Sequence, residues 1–337
     1  MKRIEQIVGY DGVARTLPDI EEDFYNSLLR YKDPFASLTE ANVVNNMPPG
    51  TVLSTEQKKL LKCFRIYKRA FALSTPQKMQ IFINKIKANQ QYQNLFYVNA
   101  KSTDFTKAIL KIMNYKGFRI AVTKGIWLAK RLNIKVCPYC NAQFTLVINR
   151  EDKHKAKFQF DHFFPKNRYP FFCLSVYNLL PSCASCNLSK TEKDFNLQEY
   201  YHPYLYSIAD EFSYKLKPET QDKFMLKNER LNIADIEFEI PNKSVIVTNH
   251  NNVFNFEEIH QRHKDIVQEI LYRAKYYPRT LVDDLLKLVD DHGTPLFSDR
   301  SEVLKILLGN YTLEVDINNR PLAKFMQDIA NDAGFMA

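Results

Sequence analysis

Two Cys-x-x-Cys pairs, Cys137-Pro-Tyr-Cys140 and Cys183-Ala-Ser-Cys186, leave this chain fewer options than anything else in it. A Cys-x-x-Cys turn bends the backbone so that two thiolates converge on one point. Two such turns supply four thiolates, the donor set of a closed tetrahedral zinc site. Residues 141–182 separate the pairs, so an ion held by all four staples a long inserted unit. With every position taken by sulfur, such a zinc is structural and supplies no catalysis. A redox dithiol, or two unrelated pairs, is the competing reading. Six cysteines in a secreted chain would suggest disulfides instead. The N-terminal MKRIEQIVGYDGV has basic residues with no apolar stretch behind them, so no secretory leader is expected and the expected compartment is the cytoplasm. Cys63 and Cys173 stand in apolar surroundings and are expected to be buried thiols.

The 337 residues suffice for one large domain or two to three small ones. No apolar run approaches the length of a membrane span, so no membrane association is expected. The net charge of +9 is unevenly spread. Residues 51–136 hold 18 Lys+Arg against 2 Asp+Glu, a balance of +16, whereas the remainder, 29 against 36, stands at −7. A basic block just ahead of the first cysteine pair suggests a polyanion-binding surface; the alternative is a solvated face of basic helices.

Periodicity predicts a mainly helical chain. A helix is expected over 54–73, opened by a Ser54/Gln57 capping box, with Leu60, Leu61, Phe64, Tyr67 and Phe71 on its apolar face. Lys58, Lys62, Arg65 and Arg69 form a cationic row along another side. Further helices are expected from Thr75-Pro76, over 103–114 and over 118–132. After residue 205, strands are expected over 212–217, 235–240 and 244–248, then helices over 255–277, 279–290, 299–309 and 320–333. His260 and His263 are read as surface histidines, since no third ligand accompanies them, and His202 as a packing or loop-capping residue.

Between the cysteine pairs, 144–149 has strand composition, 150–155 is a polar turn, and the alternating 157–162 reads as the returning strand. Asp161 and His162 end that strand. Neighbouring strand residues point to opposite sides, so one can bind a metal while the other faces a water. A helix is expected after Cys186, giving the order strand, strand, helix. Lys166 and Arg168 come after the pair in a segment that can contact phosphates or remain a solvated loop.

The order Cys-x-x-Cys, Asp161-His162-x-x-Pro165, Asn178-Leu179, Cys-x-x-Cys-Asn187-x-x-Lys190 resembles the HNH endonucleases, the ββα-metal (His-Me finger) nucleases. The resemblance covers about 60 residues and implies a role for each motif position. His162 is implied to be the general base that deprotonates the attacking water. Asp161 is implied to be the acidic ligand of a catalytic Mg2+ or Mn2+, and Asn187 stands at a second ligand position that is often histidine. By the same likeness, Asn178 braces the loop and orients the base, and Lys190 faces the scissile phosphate. The central motif also resembles the HNH subunits of Septu-type bacterial anti-phage systems, which implies an ATPase partner chain.

The chemistry is consistent on its own terms. Phosphodiester hydrolysis needs a deprotonated water and relief of charge on the phosphate and the departing oxygen. A neutral imidazole and a divalent ion can supply these. The expected fold is therefore α+β: a basic helical region at 1–133, a ββα-metal unit stapled by zinc at 134–205, and a small antiparallel sheet followed by helices at 206–337. The expected function is hydrolysis of DNA, with RNA open as the alternative polyanion. The competing function is a zinc-stapled nucleic-acid-binding module without catalysis.

Overall fold

The computed structural model describes residues 1–4, 7–9, 11–30, 32–121, 124–150, 153–227, 232, 235–277 and 280–336. The chain is mainly helical, with small two-stranded antiparallel sheets, an α+β fold. Among the described residues no helix is long and apolar enough to cross a membrane. The chain divides into two units: Ile4–Ile134 with Thr145–Leu205, and Met1–Arg3 with Lys135–Phe144 and Tyr206–Ala337.

In the first of these, helices form where apolar spacing and capping agree. Ser54 and Gln57 form the expected reciprocal capping box, and the helix runs Thr55–Ile66 with Leu60, Leu61 and Phe64 buried. It stops earlier than expected, because Tyr67 leaves helical geometry (φ −97°, ψ 26°) before a second helix, Lys68–Ala72. The break turns Phe71 edge-on to Phe64, with ring centroids 5.0 Å apart. Helix Pro76–Lys87 is capped by Thr75, and Asp104–Met113 by Thr103. The helix expected over 118–132 is two helices, Tyr115–Ile120 and Gly125–Leu132.

These helices enclose an aromatic core centred on Phe171, which has no exposed surface. Its ring stacks on Phe64 (5.2 Å) and meets Phe82 (5.1 Å), Phe96 (5.3 Å) and Phe71 (5.9 Å) at steep angles. Phe171 belongs to the loop between Asp161-His162 and Asn178, so this core fixes the loop. Offset and edge-on ring pairs add to area burial by about 0.5–1.5 kcal/mol each.

The strand pairing departs from the expected order. Val147–Arg150 pairs with Lys153–Ala156, a shorter hairpin than the one expected over 144–162, and Glu151 and Asp152, within the turn expected at 150–155, lie outside the described residues. The Asp-His strand, Gln159–His162, instead pairs antiparallel with Leu179–Ser182, with Asp161 opposite Leu180 and His162 opposite Leu179. Burial explains the choice. Phe160, Asp161 and His162 are buried, and all four residues of Leu179–Ser182 are buried as well. Pro181 is tolerated because each strand of a two-stranded sheet has a free edge. The helix Ala184–Lys190 comes directly after.

In the other unit, Ser213–Leu216 pairs with Ile236–Glu239. The third strand expected over 244–248 is helical: Ser244 caps a helix Val245–Phe254 by accepting from Val247 N (3.3 Å). Its buried residues, Val247, His250, Val253 and Phe254, recur at helical spacing, which outweighs the β-branched run at its start. Helices Phe256–Gln261 and Lys264–Tyr276 replace the single one expected over 255–277. Helix Ala323–Asp332 packs on the strand, where Asp328 accepts from Tyr214 N (3.1 Å) and Asp332 from Leu216 N (2.9 Å).

Phe171→Ala is expected to lower unfolding free energy by about 3–5 kcal/mol in denaturant titrations. Leu188→Ala, at a position 75% exposed, should stay within about 0.5 kcal/mol of the parent. Equal effects of the two would contradict the assignment of this core.

Candidate functional site

The four cysteines of the two pairs come together. Cys137, Cys140, Cys183 and Cys186 are all buried, and their sulfurs lie within 4.8 Å of one another. None of the six cysteines forms a disulfide. A tetrahedral zinc with Zn–S bonds near 2.3 Å needs sulfurs about 3.8 Å apart, so the cluster requires a contraction of at most about 1 Å. Local sequence accounts for each turn. Asn141 takes a left-handed conformation (φ 51°) that ends the first knuckle, and its N–H donates to Cys137 O (2.9 Å). Cys183 sits at the N-cap of Ala184–Lys190, where its Sγ accepts from Cys186 N at 3.4 Å. The donor set and its burial fit a metal ion, and soft thiolates suit zinc.

The strand-strand-helix segment gathers the other expected residues. Asp161, His162, Asn178 and Lys190 are buried, and Asn187 is half-buried. His162 Nε2 lies 2.9 Å from Cys173 O. A carbonyl only accepts, so Nε2 carries the proton and Nδ1 keeps the basic lone pair. Burial, reinforced by the positive charge of Lys166, holds the imidazole pKa well below its usual value, so the ring is neutral at pH 7. The ring also meets Tyr115 edge-on at 4.5 Å.

Asn178 is bonded entirely to the loop it closes. Phe164 N donates to its Oδ1 (2.8 Å), and its Nδ2 donates to Phe164 O (3.0 Å) and Phe172 O (3.1 Å). Phe172 immediately precedes Cys173, whose carbonyl holds His162. Asn178 thus sets the backbone that sets the imidazole.

Lys190 stands elsewhere than expected. Its ammonium donates to Asp161 Oδ1 (3.2 Å) and His162 O (2.5 Å), lies 3.1 Å from Asp161 Oδ2, and sits over the Phe195 ring at 4.9 Å. The side chain is 1% exposed, so Lys190 is the buried charge partner of Asp161 rather than a group facing a phosphate. The helix accounts for this: Lys190 lies one turn beyond Asn187 and aims back at the end of the Asp-His strand. Burial lowers its pKa, and Asp161 offsets part of that shift.

A polar cavity of about 120 Å3 opens beside these residues, lined by Asp161, His162 and Asn187 together with Gln159, Tyr115, Arg119 and Lys166. Gln159 and Asp161 alternate onto one side of their strand, and Asn187 Nδ2 donates to Gln159 Oε1. The cavity lining thus offers one carboxylate and two carboxamides, oxygen donors of the kind that hard divalent ions take.

Sequence reading misses Gln159, Tyr115 and Arg119. The alternation that marks Asp161 also marks Gln159. Tyr115 and Arg119 come from the basic block, where only folding distinguishes them from their neighbours. Part of that block is compensated: Lys58, Lys68 and Arg69 pair with Glu40, Asp33 and Glu22, and Lys87 and Arg131 with Asp194 and Asp11. Arg168 lies over the Tyr97 ring at 4.0 Å and is not among the cavity residues. His202 is buried, accepts from Tyr204 N through Nδ1 (3.3 Å), and packs on Phe163. His260, expected at the surface, is fully buried.

Elemental analysis of purified protein is expected to find one zinc per chain, and Cys186→Ser should lose it. Full zinc retention in that variant would contradict a four-thiolate site. Asn178→Ala should cost about 1–3 kcal/mol, from the buried backbone groups it leaves unpaired, in thermal or chemical unfolding. No protein-family model, curated protein or solved structure matches this chain.

Proposed function

We propose that this protein is a metal-dependent endonuclease of the HNH type that hydrolyses phosphodiester bonds in DNA. One observation carries the reading: a neutral imidazole, His162, is oriented by the Cys173 carbonyl beside the Asp161 carboxylate in a polar cavity that two cations, Arg119 and Lys166, also line. A metal-binding module alone has no need of that arrangement.

The residues divide the work. His162 Nδ1 takes the proton of the attacking water, and its Nε2–H stays on Cys173 O throughout, which keeps the ring in register. Arg119 and Lys166 hold the substrate phosphate and offset its charge. Asp161, Asn187 and Gln159 would hold the divalent ion, which when bound supplies Lewis-acid stabilisation of phosphate charge. Lys190 keeps Asp161 aimed by occupying its buried side. The four cysteines are scaffold.

The basic block supports a polyanionic substrate, with sequence-independent and salt-sensitive affinity. The likeness of the central motif to ATPase-associated HNH subunits extends the proposal to anti-phage defence with an ATPase partner chain. A second reading, a zinc-stapled nucleic-acid-binding module without catalysis, is favoured by the buried Asp161–Lys190 pair, which satisfies the carboxylate without any ion.

Supercoiled plasmid incubated with the protein and magnesium or manganese separates the two. The nuclease converts it to open-circular or linear DNA, whereas the binding module only retards it. His162→Ala should reduce cleavage by at least ~10²-fold with folding and DNA affinity unchanged. Arg119→Gln should reduce it by on the order of 10²-fold. Undiminished cutting by pure His162→Ala protein would remove the proposed base. Pull-down of the tagged protein should recover an ATPase, and cleavage unchanged by that ATPase would remove the partner from the proposal.

A further inference from the structure

The first cysteine knuckle, 137–140, is gripped from its far side by two buried histidines in the unit to which it belongs. His250, on Val245–Phe254, places Nε2 2.6 Å from Tyr139 O; His260, on Phe256–Gln261, places Nε2 2.7 Å from Cys140 O. Both side chains have no exposed surface. Both partners are carbonyls, so both imidazoles donate.

The pattern reflects what a knuckle must do. To converge two thiolates, the turn aims N–H groups toward sulfur; Ala142 N lies 3.5 Å from Cys140 Sγ. The carbonyls of Tyr139 and Cys140, on the preceding two peptides, lie in the packed interior, where each needs a donor. Two successive carbonyls receive imidazole N–H groups. The Cys140 carbonyl shares its peptide with the Asn141 N–H, which closes the knuckle on Cys137 O at 2.9 Å. A donor on that carbonyl polarises the peptide and strengthens the closing bond. Asn141 is held in turn, with its Nδ2 donating to Ile317 O (2.8 Å) and Leu322 N donating to its carbonyl (2.6 Å).

We propose that His250 and His260 are positioning residues of the four-cysteine metal site, a pair of imidazole donors that fix the first knuckle in the conformation its ion requires. Groups that orient metal ligands typically change metal affinity by 10–100-fold when removed. The sequence offers the pair no motif, because ten residues and a change of helix separate the two. Their role depends on the cysteine cluster and is independent of any nuclease activity.

The surroundings allow a clean test. His260 lies among Tyr214, Phe256 and Phe325, and His250 among Tyr139, Phe254 and Phe256, so phenylalanine keeps the aromatic packing and removes only the donor. Zinc transfer from intact protein to a colorimetric chelator is measured for His250→Phe, His260→Phe, the double variant, His260→Gln and His202→Phe. His202 is equally buried but bonds elsewhere. Release is expected to be at least about tenfold faster in the double variant, unchanged in His202→Phe, and slower in His260→Gln, which keeps an N–H donor, than in His260→Phe. The thiolate-to-cobalt absorption of cobalt-loaded protein should change in the same order. A folded double variant that keeps zinc at the parental rate overturns the proposal, as does equal acceleration in His202→Phe. Should the double variant not fold, the order of the two His260 variants decides, and glutamine releasing as fast as phenylalanine overturns it.

Discussion

The register between Gln159–His162 and Leu179–Ser182 governs the candidate site. It sets His162 opposite Leu179, so Asn178 arrives at the mouth of the loop just as the Asp-His strand ends. The loop between them is then closed from within, by Asn178 bonds to Phe164 and Phe172, and from outside, by the packing of Phe171 among the N-terminal helices. The carbonyl that orients His162 belongs to that loop. A hydrophobic core, a carboxamide and a strand register therefore converge on the tautomer of one imidazole.

Charge is arranged on the same principle. Asp161 and Lys190 are both buried, and either alone would carry a large desolvation cost. Together they form a locally neutral pair whose ammonium also holds the His162 carbonyl. Around the cavity the open cations are Arg119 and Lys166, and the latter also lies 5.7 Å over the Tyr115 ring. Part of the +16 of the basic block is neutralised in structural pairs with acids elsewhere in its unit, so its total overstates the charge available to a polyanion.

Some helix starts are legible in the residues: Ser54, Thr75 and Thr103 each cap an expected helix. Helix ends and breaks are not. The break at Tyr67 serves the packing of Phe71 against distant rings, which no local pattern announces. The run over 244–248 invites a strand reading because a short β-branched stretch is locally ambiguous, and burial of His250, Val253 and Phe254 further along makes it a helix. Leu179–Ser182 escapes recognition as a strand because it is short and contains Pro181. Its pairing with the Asp-His strand is a long-range fact.

The four clustered cysteines are identifiable from the order of residues, since a Cys-x-x-Cys turn is a local geometry and its donor chemistry travels with it. The same order singles out Asp161, His162, Asn178 and Asn187 as candidates within one segment. Which partners these side chains meet is decided only on folding: Lys190 turns inward to Asp161, Cys173 O meets His162, Arg119 lines the cavity, and His250 and His260 bond the first knuckle. The physical reason is the same in each case. Those roles are set by which buried polar group must find a partner, and the partner lies far away along the chain.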